Sequence, residues 1–304
     1  MIEVENLTKH YGTHLAVDHV SFSAQRGEIV GLLGPNGAGK TTTMRMLTGF
    51  MPPSDGTARV AGFDVLSDSL AVRQSVGYLP EHVPVYPDMT VHGYISFWAR
   101  LRGVKNVRQQ VDAALEQVQL TDRRKMLVRH LSKGLTQRLG LAQALVHDPP
   151  VIILDEPTIG IDPQQVIEVR DTIRQLGENH TVLFSTHILS EAEQVCDRVV
   201  IIQQGRMVAQ GAPATLRQQL QSGAHLYIEV RGANEAKIRE ILNPLRDIQS
   251  IEPQGNGFSL RVKPGKDLRA AVAERVMAAG VALLELRPVA MTLEDIFLDI
   301  IKRN

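Results

Sequence analysis

Cysteine and net charge are what this sequence most plainly lacks. Cys196 is the only cysteine among 304 residues, so no intrachain disulfide can form. Its simplest role is that of a small core residue rather than a nucleophile. Lys plus Arg and Asp plus Glu are balanced at 33 each, whereas a protein that binds nucleic acid usually carries a basic surface. We therefore expect no nucleic-acid partner.

Long hydrophobic runs are also absent. The most apolar segments, Val151–Leu154 and Val199–Ile202, are only as long as strands, whereas about 20 apolar residues are needed to span a bilayer. The beginning of the chain does not read as a signal peptide, because no apolar stretch follows a charged start. These features favour a cytoplasmic location.

Strand and helix patterns alternate along the first two thirds of the chain. This alternation predicts an α/β domain at residues 1–221, with a largely parallel sheet covered by helices on both faces. Residues 82–148 differ, because the proline-broken stretch His82–Thr90 is followed by apolar residues three and four positions apart. We expect a helical subdomain there, with its last helix at Thr136–His147.

The remaining residues, 222–304, have the pattern of a second and smaller domain. Their element order is strand, helix, strand, strand, helix, strand, which predicts an α+β, ferredoxin-like sandwich. A last helix is predicted at Thr292–Ile301, because Thr292 with Asp295 forms a capping pattern ahead of an apolar stripe. The stripe is most simply core packing, and docking to a partner is the alternative.

A glycine-rich segment, GPNGAGKT, lies between a predicted strand and a predicted helix at Gly34–Thr41. The spacing G-x-x-x-x-G-K-T in that context is typical of a phosphate-binding loop. Its glycines let successive N–H groups point at one anion. Lys40 would reach the β- and γ-phosphates, Thr41 would bind Mg²⁺, and Thr42 would bond a phosphate. The predicted nucleotide-binding residues of the loop are Gly34, Pro35, Asn36, Gly37, Ala38, Gly39, Lys40, Thr41 and Thr42.

Two acids, Asp155 and Glu156, follow the apolar strand VIIL. An acid at the carboxyl end of a buried strand lies at the edge of the sheet beside such a loop. Asp155 then suits a Mg²⁺ ligand. Glu156 points elsewhere and suits the polarisation of an attacking water.

A third segment, LSKGLTQR at Leu131–Arg138, which we call the signature segment, stands between the phosphate-binding loop and the two acids. With all three in this order, residues 2–210 resemble the nucleotide-binding subunits of ABC transporters. The resemblance implies an α/β P-loop NTPase cassette with a mixed sheet and a helical subdomain, an ATPase activity, and ATP with Mg²⁺ as ligands. It also implies a head-to-tail dimer in which Ser132, Lys133 and Gly134 face the nucleotide bound to the other subunit.

The same resemblance assigns roles to single residues. Tyr11 would stack on adenine, although a strand tyrosine can equally lie in a core. Asp162, in GIDP, would lie at the dimer interface, although an acid before Pro163 can simply cap a helix. His187 would contact the γ-phosphate and order the attacking water, although a lone histidine after a strand is usually structural. Glu156 and His187 are thus the predicted catalytic residues.

Three positions depart from the usual pattern of the family. Lys133 replaces a glycine, Leu135 replaces a glutamine, and Glu81, in GYLPEH, replaces a glutamine. Glu81 can still supply an oxygen to Mg²⁺, so the predicted metal ligands are Thr41, Asp155 and Glu81. These departures concern the signature contacts and the strength of hydrolysis rather than ATP binding.

We interpret the chain as the ATP-binding subunit of an exporter. GYLPE, LSKG and the appended domain resemble subunits of the gliding-motility, sodium-extrusion and drug-export branch. The subunit would form a homodimer or pair with a paralogue, lie at the inner face of the cell membrane and drive separately encoded permease subunits. Their docking surface would include Val85, Tyr86 and Trp98.

The alternative is a soluble ABC ATPase that acts on nucleic acid or the ribosome. Such proteins usually carry two cassettes, a long coiled-coil insertion or zinc clusters, and this sequence has one phosphate-binding loop and one cysteine. A kinase or GTPase would leave LSKGLTQR, GIDP and His187 unexplained.

Overall fold

The computed structural model describes residues 1–220, 225–263 and 266–289. By its contacts the chain divides into two units, Met1–Pro213 and Ala214–Asn304. The strands of the first unit are β1 (Ile2–Tyr11), β2 (His14–Ala24), β3 (Ile29–Leu33), β4 (Asp55–Val60), β5 (Phe63–Asp64), β6 (Val76–Leu79), β7 (Val151–Leu154), β8 (Thr181–Thr186), β9 (Arg198–Gln203) and β10 (Arg206–Gly211). Its helices are α1 (Lys40–Leu47), α2 (Ser69–Ser75), α3 (Val91–Leu101), α4 (Val107–Gln117), α5 (Lys133–Leu145), α6 (Pro163–Leu176) and α7 (Leu189–Val195). Short 3₁₀ turns cover Thr121–Arg123 and Val128–His130.

Two sheets form the frame of the first unit. An antiparallel sheet has the strand order β2-β1-β4-β5, and a six-stranded sheet has the order β10-β9-β3-β8-β7-β6. The latter is parallel from β9 to β6, with β10 added antiparallel. Every residue of β3 and β7 is buried, as expected for parallel strands that are covered on both faces. The α/β architecture with a mixed sheet is as predicted.

This strand order places the chemistry at one edge. The chain leaves β3 into the glycine-rich loop and leaves β7 into Asp155, with β8 between the two strands. Because parallel strands share their carboxyl edge, the loop, the acids and His187 meet there.

Helices α3, α4 and α5 pack on one another beside this sheet. Helix α5 begins at Lys133, whereas the sequence predicted a start at Thr136. The earlier start has a local cause, because the Ser132 hydroxyl caps the helix by accepting from the backbone N–H of Leu135 at 3.3 Å. The capping bond offsets the poor helix propensity of Gly134.

Helix α3 corrects the predicted docking residues. Trp98 lies four residues after the fully buried Tyr94 and therefore on the same face of the helix. Trp98 and Val85 both pack against the buried core and are only partly exposed. Tyr86 is 49% exposed and Phe97 is 37% exposed, so these two aromatic residues reach the surface instead.

The second unit has its own sheet and core. Its elements are α8 (Pro213–Leu220), β11 (His225–Arg231), α9 (Glu235–Leu242), β12 (Ile248–Gln254), β13 (Gly257–Val262), α10 (Arg269–Ala278) and β14 (Ala282–Val289). The antiparallel order is β12-β13-β11-β14, which is the split βαβ topology predicted from the sequence. Alternate strand residues such as Leu226, Ile228 and Leu260 pack with Ile238 and Val276 of the helices.

The division by contacts falls earlier than residue 222, where a Ser-Gly pair suggested a hinge. As a sequence pattern, a Ser-Gly pair is typical of hinges, whereas the division by contacts depends on which residues pack together. The pair itself and the helix predicted at Thr292–Ile301 lie outside the described residues. Across the described ranges, none of the helices combines the length and apolar character that crossing a membrane requires.

Candidate active site

The glycine-rich loop wraps around the amine of Lys40. Gly39 has φ +104°, and a Cβ there would lie 2.6 Å from the carbonyl oxygen of Ala16, so only glycine fits. Helix α1 starts at the next residue. Lys40 is buried, and its Nζ donates to the carbonyls of Gly34 at 2.8 Å and Pro35 at 3.3 Å. The loop therefore presents a helix N-terminus and a held ammonium group, which together suit a phosphate.

Asp155 lies directly beside this loop. Its Oδ1 accepts hydrogen bonds from the hydroxyls of Ser185 at 2.7 Å and Thr41 at 3.2 Å. Its Oδ2 is buried and has no hydrogen-bond partner among the described residues. Burial raises the pKa of Asp155, and the negative charges of Glu156 and Glu81 raise it further. A buried acid with one unpartnered oxygen, next to a threonine hydroxyl, fits a hard divalent cation such as Mg²⁺.

Glu156 adopts a backbone conformation that is uncommon for a residue with a side chain. Its φ is +48°, which costs about 1–3 kcal/mol and persists only where the surroundings hold it. Its N–H donates to Ser185 Oγ at 2.8 Å. Its carboxylate lies between two basic groups, with Lys40 Nζ at 3.2 Å and His187 Nδ1 at 2.9 Å. The strained turn thus aims a buried carboxylate at the end of the phosphate-binding loop.

The glycine-rich loop, Lys40 and Glu156 open into one cleft of about 360 Å³. Its lining includes the predicted residues Tyr11, Asn36, Gly37, Ala38, Gly39, Lys40, Thr41, Thr42, Glu81 and Glu156. Tyr11 is 44% exposed, so the reading as a core tyrosine is wrong. Lys9 Nζ lies 5.8 Å from the centre of its ring, and its hydroxyl donates to Met51 Sδ at 3.2 Å. The ring is therefore held at the mouth of the cleft.

The signature residues and Asp162 are not part of this cleft. Ser132 and Lys133 are exposed at the start of α5, and the side chain of Gln165 lies against Gly134. Asp162 caps α6, because its Oδ1 accepts from the N–H of Gln165 at 3.1 Å. The functional residues predicted from the sequence thus lie at two separate places, the cleft at the glycine-rich loop and the exposed first turn of α5.

Comparison with known proteins agrees with this geometry. The sequence profile of the family described as "ABC transporter" matches residues 17–159. The linearmycin resistance ATP-binding protein LnrL of Bacillus subtilis is 35% identical over all of this chain and 99% of its own length. The Nod factor export ATP-binding protein I of Burkholderia lata is 38% identical over all of this chain and 97% of its own length. This chain belongs to the family of ABC transporter ATP-binding proteins.

Solved structures place this ABC transporter ATP-binding protein in the same fold. An ATP-binding subunit of an ABC transporter superposes with a TM-score of 0.67 and 29% identity, covering 80% of this chain and 99% of its own. The cassette MJ0796, solved as a dimer bound to ADP and Pi, has a TM-score of 0.64 at 22% identity, covering 70% of this chain and 98% of its own. The predicted family, the fold class and the ATPase activity are confirmed.

Sequence reasoning about this ABC protein missed several residues. Ser185 bonds both acids, and His14, Ala16 and Ile159 line the cleft. Ser185 carried a recognisable pattern, because a small hydroxyl residue at the carboxyl end of an apolar strand lies at the edge where the acids meet. The other three residues carried no such pattern, since His14 and Ala16 of β2 and Ile159 come to the cleft only in the folded chain.

Proposed function

We propose that this chain energises export through separately encoded membrane permease subunits by hydrolysing ATP in a head-to-tail dimer. The observation that carries the proposal is the placement of Glu156 between Lys40 and His187 at the end of the phosphate cleft. A carboxylate so held can accept a proton from a water that attacks the γ-phosphate. The separation of the signature residues from this cleft supports a site completed by a second copy or a paralogous subunit.

In this proposal the phosphate-binding loop and Lys40 hold the β- and γ-phosphates, and Thr42 bonds a phosphate oxygen. Tyr11 stacks on adenine from the mouth of the cleft. Mg²⁺ would be held by Thr41, Asp155 and Glu81, and when bound it neutralises phosphate charge. Asp155 supports this assignment because its Oδ2 has no other partner among the described residues.

His187 and Glu156 form the proposed catalytic pair. The 2.9 Å contact between His187 Nδ1 and Glu156 Oε2 orients the carboxylate toward the water. The imidazole is 40% exposed, so it can also reach the γ-phosphate. Phosphate hydrolysis by such a pair is a matter of positioning and electrostatics, because the protein forms no covalent bond.

The partner subunit would supply Ser132, Lys133 and Gly134 to the γ-phosphate, and Asp162 would lie at the dimer interface. A hydroxyl, a glycine N–H and the start of α5 present donors that suit an anion. Both Ser132 and Asp162 also cap helices within their own chain, and capping holds Ser132 in place for the partner's nucleotide and Asp162 in place at the interface.

Export is supported by the names of the relatives, which concern linearmycin resistance and Nod factor export. The permease would dock on an aromatic surface that we define as Tyr86 and Phe97. Their rings meet edge to face at 5.6 Å, and Tyr86 also lies 6.1 Å from Tyr94. Large exposed aromatic residues of this kind favour a protein partner. The chain would then be peripheral at the inner face of the cell membrane.

The catalytic part is tested with Glu156→Gln. We expect ATP turnover to fall by roughly 100-fold or more, while an ATP-bound dimer accumulates and is detected by light scattering after gel filtration. Glu178→Gln, at an exposed residue, is the matched control and keeps wild-type turnover. A Glu156→Gln protein that stays monomeric with ATP, or that hydrolyses ATP normally, would refute the assignment.

The docking part is tested with the double variant Tyr86→Glu and Phe97→Glu. We expect it to lose co-purification with the membrane permease subunits that the wild-type chain retains, and to keep ATP binding. Met277→Glu is the control, since Met277 is exposed and apolar in the second unit. Retained permease binding contradicts the docking surface. Co-sedimentation of the wild-type chain with RNA or ribosomes, instead of membranes, would favour the nucleic-acid alternative.

A further inference from the structure

A buried carboxylate outside the proposed catalytic pair connects the two loops that carry it. Glu191 lies in the first turn of α7 and is 5% exposed. Its Oε2 accepts hydrogen bonds from Thr158 Oγ1 and from Thr186 Oγ1, each at 2.9 Å. Both threonines are themselves buried. A buried carboxylate is costly unless it is bonded, so these two hydroxyls fix where it lies.

The two threonines stand next to the proposed catalytic residues. Thr158 is two residues after Glu156, and Thr186 is directly before His187. The Thr186 hydroxyl also accepts from the N–H of Ile188 at 3.0 Å. The turn around His187 is therefore closed through Thr186, and the same hydroxyl is joined through one oxygen of Glu191 to the turn that follows Glu156.

We propose that Glu191 is a positioning residue that keeps the loop of Glu156 and the loop of His187 in a fixed position relative to each other. The inference rests on the catalytic roles proposed above for those two residues. It adds that their 2.9 Å contact is kept by a second connection on the buried side, because neither loop can shift without breaking a bond to Glu191.

The strained backbone of Glu156 is the reason that the bond from Thr158 to Glu191 matters. A left-handed residue with a side chain keeps its conformation only where neighbours on several sides hold it. Ser185 bonds the Glu156 N–H from β8, and the N–H of Ile159 bonds the Glu156 carbonyl at 3.1 Å. The bond from Thr158 to Glu191 anchors the same turn to α7. Releasing it removes one of the bonds that hold the backbone of Glu156 in this conformation and so lets its carboxylate shift relative to the attacking water.

The simpler role of Glu191 is to stabilise the start of α7, where acids are favoured. The two roles differ in what they affect. A helix-stabilising residue changes the stability of the whole unit, whereas a positioning residue changes kcat at constant affinity for ATP, because the phosphate-binding loop makes no bond to Glu191 among the described residues. The connecting role also requires both threonine hydroxyls.

The test compares Glu191→Ala, Glu191→Gln and Glu193→Ala in the full chain. The amide oxygen of glutamine can still accept both hydroxyls. We expect Glu191→Ala to lower kcat by at least about tenfold, with the Kd for a fluorescent ATP analogue unchanged. We expect Glu191→Gln to restore most of that loss. Glu193 is an exposed acid on the same helix, so its alanine variant should match the wild type.

Two further measurements keep the inference open to refutation. Thr158→Val should lower kcat, Thr158→Ser should restore it, and adding Glu191→Ala to Thr158→Val should cost little more. Hydrogen exchange without nucleotide should become faster at the Ile188 amide in Glu191→Ala but not in Glu191→Gln. Full kcat in Glu191→Ala, or equal losses of kcat, ATP affinity and thermal stability, overturns the positioning role. If Glu156→Gln and His187→Ala also keep full turnover, the proposed catalytic pair itself fails.

Discussion

The phosphate-binding loop and the signature segment are both recognised from sequence motifs, yet their surroundings in the folded chain differ. Lys40 at the loop is 6% exposed and bonded to two carbonyls and an acid. Lys133 at the signature is exposed at the start of α5. Gly39 is confined by backbone, whereas Gly134 meets only the side chain of Gln165.

This difference supports the proposal that the two segments act on different nucleotides, one in the same chain and one in a partner subunit. The phosphate-binding loop makes its contacts within one chain, because Lys40 bonds two carbonyls and Glu156, and Gly39 lies against the backbone of Ala16. The signature offers donors and a charge to solvent, which is consistent with a partner subunit's nucleotide as their target. Damage to the loop should therefore affect ATP affinity, and damage to the signature should affect dimerisation.

The largest expected difference concerns two glycine-to-alanine changes. Gly39→Ala places a Cβ against the carbonyl oxygen of Ala16 at φ +104°, and backbone cannot move aside cheaply. We expect the affinity for ATP to fall by roughly 100-fold. Gly134→Ala displaces only a flexible side chain, so the ATP affinity of the monomer should stay the same and ATP-dependent dimerisation should weaken. Fluorescence titration and light scattering measure the two quantities.

Gly12→Ala is a control for the first change, because Gly12 also has a positive φ of +58° but no atom near its Cβ position. It should bind ATP as the wild type does. Equal losses of ATP affinity in the Gly39 and Gly134 variants would remove the distinction between the two segments.

A smaller effect is expected from the charge at the signature. Lys133→Met removes the ammonium group and keeps the length of the side chain. We expect unchanged ATP affinity and a several-fold weaker ATP-dependent dimer at low salt, with the difference fading as salt screens the charge. Lys105→Met, at another exposed lysine, is the control. Dimerisation and turnover that do not change in Lys133→Met would show that this lysine is merely solvated.

An effect on stability rather than on ATP binding or dimerisation is expected at the far end of α5. His147 lies two residues beyond α5, and burial, with help from Arg102, lowers its pKa to about 4. At pH 5 the unfolded chain, with a histidine pKa near 6.5, binds a proton at His147, whereas the folded chain does not. The free energy of unfolding should therefore fall by roughly 2 kcal/mol between pH 7 and pH 5.

Urea unfolding at the two pH values measures this loss, and His147→Gln should remove it. His10→Gln, at an exposed histidine, should leave it in place. If the free energy of unfolding of His147→Gln still falls between pH 7 and pH 5, groups other than His147 cause the loss of stability.

The sequence allowed most of the first unit to be predicted, because its motifs act locally. The phosphate-binding loop needs a strand before it and a helix after it, and both are visible as periodic patterns around Gly34–Thr41. The βαββαβ order of the second unit was equally readable. The start of α5 was not, because the capping bond to Ser132 offset the low helix propensity of Gly134.

The side of a helix that faces the core was harder to predict. Trp98 looked like an exposed docking residue, and it packs inward because Tyr94 on the same face is buried. Ser185 was missed because its two hydrogen bonds are to Asp155 and Glu156, which lie far from Ser185 in the sequence. Periodicity describes one helix or strand, whereas these contacts depend on which strands become neighbours.

By itself, then, the sequence determined the family, the fold class, the position of the glycine-rich loop and that of the two acids after β7, since these depend on local spacing and backbone chemistry. Only the tertiary structure decided that Glu156 lies between Lys40 and His187, and that Glu191 joins the loop of Glu156 to the loop of His187. It also separated the signature from the phosphate cleft. Those relations come from strand order, because β7 and β8 are neighbours in the sheet while Glu156 and His187 are far apart in the chain.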